Sequence, residues 1–195
     1  MRGAVRRSID AATPYKAVRV TLFLEPLVLF ALAYGSLAQV DRPLIITNKT
    51  DAPLQISEAH CGQHAHGNYC RATLQFADTR ETWDGYGLLW TVTLDDGSKT
   101  PFRQSADRSI EPTGRPDGSF QPTGRFYKPG EIVNAGGKGM ASGKTDRSGK
   151  PLHITYAQVE VEFVINTDGT VWGDNKSPTY LEMVANRKKA KEGTQ

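Results

Sequence analysis

The stretch that most narrows the folds open to this chain is Ile154 to Trp172, ITYAQVEVEFVINTDGTVW. Within it Val159, Val161, Phe163 and Ile165 alternate with Gln158, Glu160 and Glu162, the period-two pattern of a strand with one buried and one wet face. Asn166 to Gly169 then offers Asn, Asp and Gly, which tolerate the positive backbone angles of a hairpin turn, and Val171-Trp172 begins a return strand. A β-hairpin is predicted here.

The same grammar recurs upstream. Ala72, Leu74 and Phe76 alternate with Arg71, Thr73 and Gln75. Leu88, Trp90, Val92 and Leu94 share one face of a strand that Asp95-Asp96-Gly97 turns into Ser98 to Phe102. Pro43 to Asn48 and Pro53 to Ser57, split by Lys49 to Ala52, read as a first hairpin. Asn48-Lys49-Thr50 also fits a glycosylation sequon, a fit that matters only in a glycosylating host. From Arg103 to Lys150 sustained apolar periodicity stops, and nine of the chain's 19 glycines fall between Gly114 and Gly149. This segment is predicted to be a long glycine-rich insertion in which only Phe126-Tyr127 and Glu131 to Ala135 can pack as strand. It holds a short duplication, Pro112-Thr113-Gly114-Arg115 and Pro122-Thr123-Gly124-Arg125. Ser177-Pro178 supplies an N-cap and a first-turn proline, so residues 177–195 should form a short amphipathic helix, with Tyr180, Leu181 and Val184 at helical spacing, and a basic tail. The expected architecture is all-β: a small antiparallel immunoglobulin-like β-sandwich of six to eight strands over residues 39–176, closed by that helix.

Ahead of this body, residues 1–38 run from a basic stretch through a largely apolar one to Ser36-Leu37-Ala38, the layout of a signal peptide, or of an uncleaved signal anchor if it is not removed. The chain is therefore read as exported: periplasmic, extracellular or membrane-anchored outside the cytoplasm. Membrane contact is expected only through this segment if it stays uncleaved. Its charge also explains the formal net charge of +3. Five Lys or Arg and two Asp or Glu lie in it, which leaves 19 of each sign in the remainder. A balanced body has no field with which to gather phosphates, so nucleic-acid binding is not expected.

His60-Cys61-Gly62-Gln63-His64-Ala65-His66-Gly67-Asn68-Tyr69-Cys70 gathers three of the four histidines and both cysteines. In an oxidising compartment the first expectation for Cys61 and Cys70 is a disulfide. The second is a zinc or copper site that uses His60, His64 and His66, since imidazole suits both metals, although the spacing matches no paired structural zinc pattern. Trp83-Asp84-Gly85-Tyr86 reads as a loop whose rings either stack on a sugar or a protein partner or plug the end of the core. Glu160 and Glu162 lie about 6.5 to 7 Å apart on one strand face, a separation suited to acid/base chemistry but also ordinary on a wet sheet. Gly136 to Thr145 imitates a phosphate loop, yet Lys138 stands where its first glycine is needed, and Gly149 and Pro151 preclude a following helix. No Gly-x-Ser-x-Gly occurs, and His153 alone makes no triad. The function expected is thus non-catalytic: an exported β domain that binds an unidentified ligand or protein partner, or has a structural role, and needs no cofactor. The alternative is a periplasmic or extracellular metal-binding protein using the 60–70 loop, and a hydrolase built on Glu160 and Glu162 ranks last.

Overall fold

A computed structural model describes residues 44–64, 67–137 and 145–193, with backbone only at 63, 64, 67 and 137. The signal peptide or signal anchor expected at residues 1–38 lies outside these residues. The described residues are mostly strand. They form β1 (Leu44–Thr47), β2 (Leu54–His64), β3 (Gly67–Phe76), β4 (Trp83–Leu94), β5 (Lys99–Asp107), β6 (Ile110–Pro112), β7 (Phe120–Pro122), β8 (Ile132–Gly137), β9 (Ile154–Asn166) and β10 (Val171–Gly173), followed by one helix, α1 (Pro178–Glu192).

Three sheets result. The first runs β1-β9-β4-β5, with β10 on the same edge of β9 as β1; the second runs β2-β3-β8; β6 and β7 pair by themselves. Side chains from the first two sheets share one apolar cluster, in which Phe76, Trp83, Leu88, Trp90 and Val159 are fully buried. Four rings close one end of it: Phe76 stacks on Trp83 at 5.0 Å and on Tyr127 at 4.7 Å, and Tyr86 tilts against Tyr127 at 5.6 Å.

The expected first hairpin is absent. β1 pairs in parallel with β9 while β2 pairs with β3, so residues 48–53 carry the chain from one sheet to the other, and the pairing is not purely antiparallel. The physical reason is Asn48. Its amide nitrogen donates to the Ile56 carbonyl at 2.9 Å and its oxygen accepts from the Ile56 N–H at 2.8 Å, so one side chain does for β2 what a neighbouring strand would do.

β9 also departs from simple alternation. Gly87 pairs with Phe163 and Leu88 with Val161, which leaves Glu162 as the extra residue of a β-bulge. Before it, Ala157, Val159 and Val161 face the shared core; after it Val164 does, and Phe163 and Ile165 turn to the opposite side and meet Met183 of α1. The four residues that looked like one stripe therefore divide between two faces. Gly173 of β10, at φ +93°, fits against the bulge, where a Cβ would run into the Glu162 carbonyl.

α1 begins as expected: Ser177 caps it, its hydroxyl accepting from the Tyr180 N–H at 3.2 Å, and Pro178 opens the first turn. The buried stripe differs from the one expected. Met183 and Ala190 are buried, whereas Leu181 and Val184 are exposed. Two strand glycines make this docking possible, because a Cβ at Gly85 would crowd the Met183 sulfur and one at Gly87 would enter the Phe163 ring.

The described residues of the 103–150 segment are far more ordered than a loop. β5 continues to Asp107, β6 and β7 form a hairpin, and β8 adds to the second sheet. Aspartate turns supply the local order that apolar periodicity lacks: Asp107, Asp117 and Asp146 each accept from the backbone N–H two residues on, at 3.0, 2.9 and 2.8 Å.

Candidate ligand cleft beside the helix

Cys61 and Cys70 are joined by a disulfide between directly paired residues of β2 and β3, with Cα atoms 4.1 Å apart and both side chains buried. Neither sulfur is available as a thiolate ligand. On the outer face of the same sheet His60 Nε2 lies 2.8 Å from a Glu58 carboxylate oxygen. That hydrogen bond, with the imidazole's charge, holds the Glu58 carboxyl below its usual value. These two residues border a hollow of about 580 Å³ with Arg71, Thr73 and Asn134. The His64 side chain and all of His66 lie outside the described residues, and with them the histidine site expected at His60, His64 and His66. Among the described residues no three His, Cys, Asp or Glu side chains are grouped as a metal site would group them.

Trp83 and Tyr86 do not sit on a loop. They open β4, and both rings are buried in the four-ring cluster, the core-plug arrangement rather than the ligand-stacking one. The exposed rings expected at Trp83 and Tyr86 are instead 0% and 3% exposed. Burial also pushes the Tyr86 hydroxyl far above the usual phenol range. Glu160 and Glu162 do not behave as a matched wet pair either. The bulge draws Glu162 into the interior, where Arg103 of β5 binds it at 2.7 Å, while Glu160 stays partly exposed. Residues 138–144 of the phosphate-loop look-alike lie outside the described residues. A bridge from Thr145 to Pro151 comes next and then β9, with no helix between.

Where polar groups do converge is the space between α1 and the β6–β7 hairpin. Arg187, four residues after Met183 on the buried stripe, donates from Nε to Asp107 Oδ2 at 2.6 Å, from Nη2 to Asp107 Oδ1 at 3.2 Å and from Nη1 to Asp84 Oδ2 at 3.1 Å. One guanidinium thus clamps carboxylates from β4 and β5 and ties the helix to the sheet. Asp84 owes its position to a second bulge, since Trp83 pairs with Asn166 and Gly85 with Ile165, leaving it as the extra residue. Burial raises its carboxyl above the ordinary aspartate value, although the charge of Arg187 pulls the other way.

Above this clamp lies a cleft of about 510 Å³, bordered by Asp84, Arg125, Phe126, Asp168, Arg187 and Lys191 among others. One wall is the second copy of the duplicated tetrapeptide. In both copies the threonine hydroxyl accepts from the arginine N–H two residues on, at 3.3 Å for Thr113 and 3.0 Å for Thr123, and the glycine between has positive φ, +74° at Gly114 and +65° at Gly124. The two copies therefore build the same turn twice, at opposite ends of the hairpin. Thr123 adds an anchor through its hydroxyl to the Arg108 carbonyl, which fixes Arg125 and Phe126 at the cleft. The duplication is plain in the sequence, but the clamp is not, because its members are separated by 23 and 80 positions. The usable signal is Arg187 itself, a cation on an apolar helical stripe that demands a carboxylate partner.

No protein-family model matches this chain, and no curated protein matches it. One solved structure, from Peptoclostridium difficile 630 and described as a hypothetical protein, is similar over 69% of this chain and 92% of its own, with 12% identity and a TM-score of 0.35. A likeness so distant carries no argument about what the chain does.

Proposed function

We propose that this chain is an exported, non-catalytic β domain that acts by binding, and that its ligand enters the cleft between α1 and the β6–β7 hairpin. The observation that carries this reading is the cleft itself, in which an exposed aromatic ring, Phe126, and charged side chains from β4, α1 and two connecting segments border one cavity. The hollow beside His60 is a poorer candidate, because it lies on a sheet face where His60 and Glu58 already satisfy one another. Export is supported by the buried disulfide, a bond that persists in oxidising compartments. Among the described residues no helix is long and apolar enough to cross a membrane. The immunoglobulin-like sandwich belongs to this proposal too, supported by the single core that two sheets share.

A library of short peptides and glycans screened by nuclear magnetic resonance against the labelled full chain tests the location. Ligand-dependent shifts should cluster at Gly124, Arg125, Phe126 and Lys191. Shifts confined to Glu58, His60 and Arg71 would remove the cleft as the site.

A further inference from the structure

The chemistry of the cleft is set by which of its charges are already spent, an inference that rests on the binding reading above. Arg187 is bound by Asp84 and Asp107, and Arg108 by Glu131 at 2.7 Å. The Asp168 carboxylate accepts from the Thr170 N–H and hydroxyl at 2.8 and 2.7 Å, neutral donors that hold it ionised, so it stays as one negative charge on the cleft wall. Arg125, Lys128 and Lys191 remain, exposed and outside any salt bridge among the described residues, with Lys191 acting at longer range on the Asp84 carboxyl and Lys128 on that of Glu131. Phe126 stands between two of them in sequence and is 41% exposed, unlike Tyr127 beside it, which is buried under the Arg108 guanidinium. A second hollow of about 490 Å³, bordered by Arg108, Arg125, Phe126 and Lys128, shares Gly124, Arg125 and Phe126 with the cleft. The two hollows flank the Arg125-Phe126 ridge, with Lys191 bordering one, Lys128 the other and the ring between them, and we treat them as one trough.

We propose that this trough binds an acidic peptide segment, with carboxylates set on Arg125, Lys128 and Lys191 and a neighbouring apolar side chain against Phe126. Charge complementarity selects the acid, and the spread of the cations along a trough rather than around a point selects an extended chain over a single small anion. A nucleic acid is disfavoured because the positive charge is local: beyond the leader the chain carries 19 basic and 19 acidic residues.

The test uses the labelled full chain and four probes: a short peptide of alternating glutamate and leucine, its glutamine counterpart, inorganic phosphate, and phosphatidylglycerol vesicles. The glutamate peptide should shift the amides of residues 124–128 and 191, and weaken with added salt. Arg125→Glu and Lys191→Glu should each weaken it about fivefold to tenfold, the loss of one screened charge contact of about 1 kcal/mol. Arg115→Glu is the control, since it reverses the same charge in the duplicate turn at the other end of the hairpin, and it should leave affinity unchanged. Equal binding of the glutamine peptide at the same amides would overturn the acidic class while leaving a binding cleft. Tight capture by vesicles, lost in Arg125→Glu and without a peptide effect, would replace it with a lipid surface. Phosphate shifting the same amides as strongly as the peptide would reduce the trough to a simple anion site. No shift at 124–128 with any probe would overturn the cleft as well.

Discussion

Replacing Arg187 by methionine, which keeps most of the aliphatic length and removes the guanidinium, should be among the most damaging single changes outside the core. The side chains concerned are 17% exposed at Arg187, 17% at Asp84 and 8% at Asp107. Without the guanidinium, three charge-assisted hydrogen bonds vanish and two carboxylates face each other under the helix. Removing one partner of a buried ion pair costs about 3 to 5 kcal/mol. Because the cleft admits water to one side of the clamp, the lower end of that range applies, about 3 kcal/mol. For a chain of this size that lowers Tm by roughly 6 to 12 °C. Thermal melts followed by circular dichroism measure it, and Arg187→Met combined with Asp84→Asn and Asp107→Asn should regain most of the loss by removing the stranded charges. Asp84→Asn alone gives the pH arm. The folded-state carboxyl titrates above the ordinary value of 3.8, so in that window the folded chain holds more proton than the unfolded one. The stability this contributes is complete below 3.8 and is lost as pH rises through the raised value. Relative to the wild type, the Asn variant should therefore gain in Tm as pH rises across the acid range, then level off. A wild-type-like melt for Arg187→Met would refute the claim that one largely buried guanidinium holds the helix, and a pH-independent difference for Asp84→Asn would refute the raised Asp84 carboxyl.

The backbone gives two further expected outcomes. Gly173→Ala places a Cβ against the Glu162 carbonyl at a residue with φ +93° and should cost about 2 to 4 kcal/mol, the sum of a left-handed backbone penalty and overpacking, read from urea denaturation. Cys61→Ala with Cys70→Ala, or reductant under mildly denaturing conditions, should cost about 2 to 3 kcal/mol, the chain-entropy worth of closing a loop with a sequence separation of 9.

Much of the fold was legible because side-chain alternation and turn chemistry are local. The inward faces of β3 and β4, the Asp-Gly turn at Gly97, the 154–172 ribbon and the Ser177 cap are all decided by neighbours a few positions apart. The features that stayed hidden depend on partners far along the chain. That residues 44–47 and 54–57 join different sheets is decided by β9, more than a hundred positions away from β1, and by the way Asn48 clasps Ile56. The strand parity across Glu162 and Asp84 is set by bulges that composition does not announce. Trp83 and Tyr86 resembled a loop because Asp84 and Gly85 separate them; those two residues are there to take Arg187 and make room for Met183. The glycine-rich region misled for the opposite reason, since its order rests on aspartate and threonine side chains that mimic backbone partners instead of on buried apolar faces.

The single surplus residue at Glu162 lets a lone strand serve two interiors, the one between the sheets and the one beneath the helix. Spacing along that strand is consequently counted residue by residue. Lengthening or shortening it by one position would exchange the two linings, whereas the turns at residues 95–98 and 113–119 could change length and leave both interiors intact.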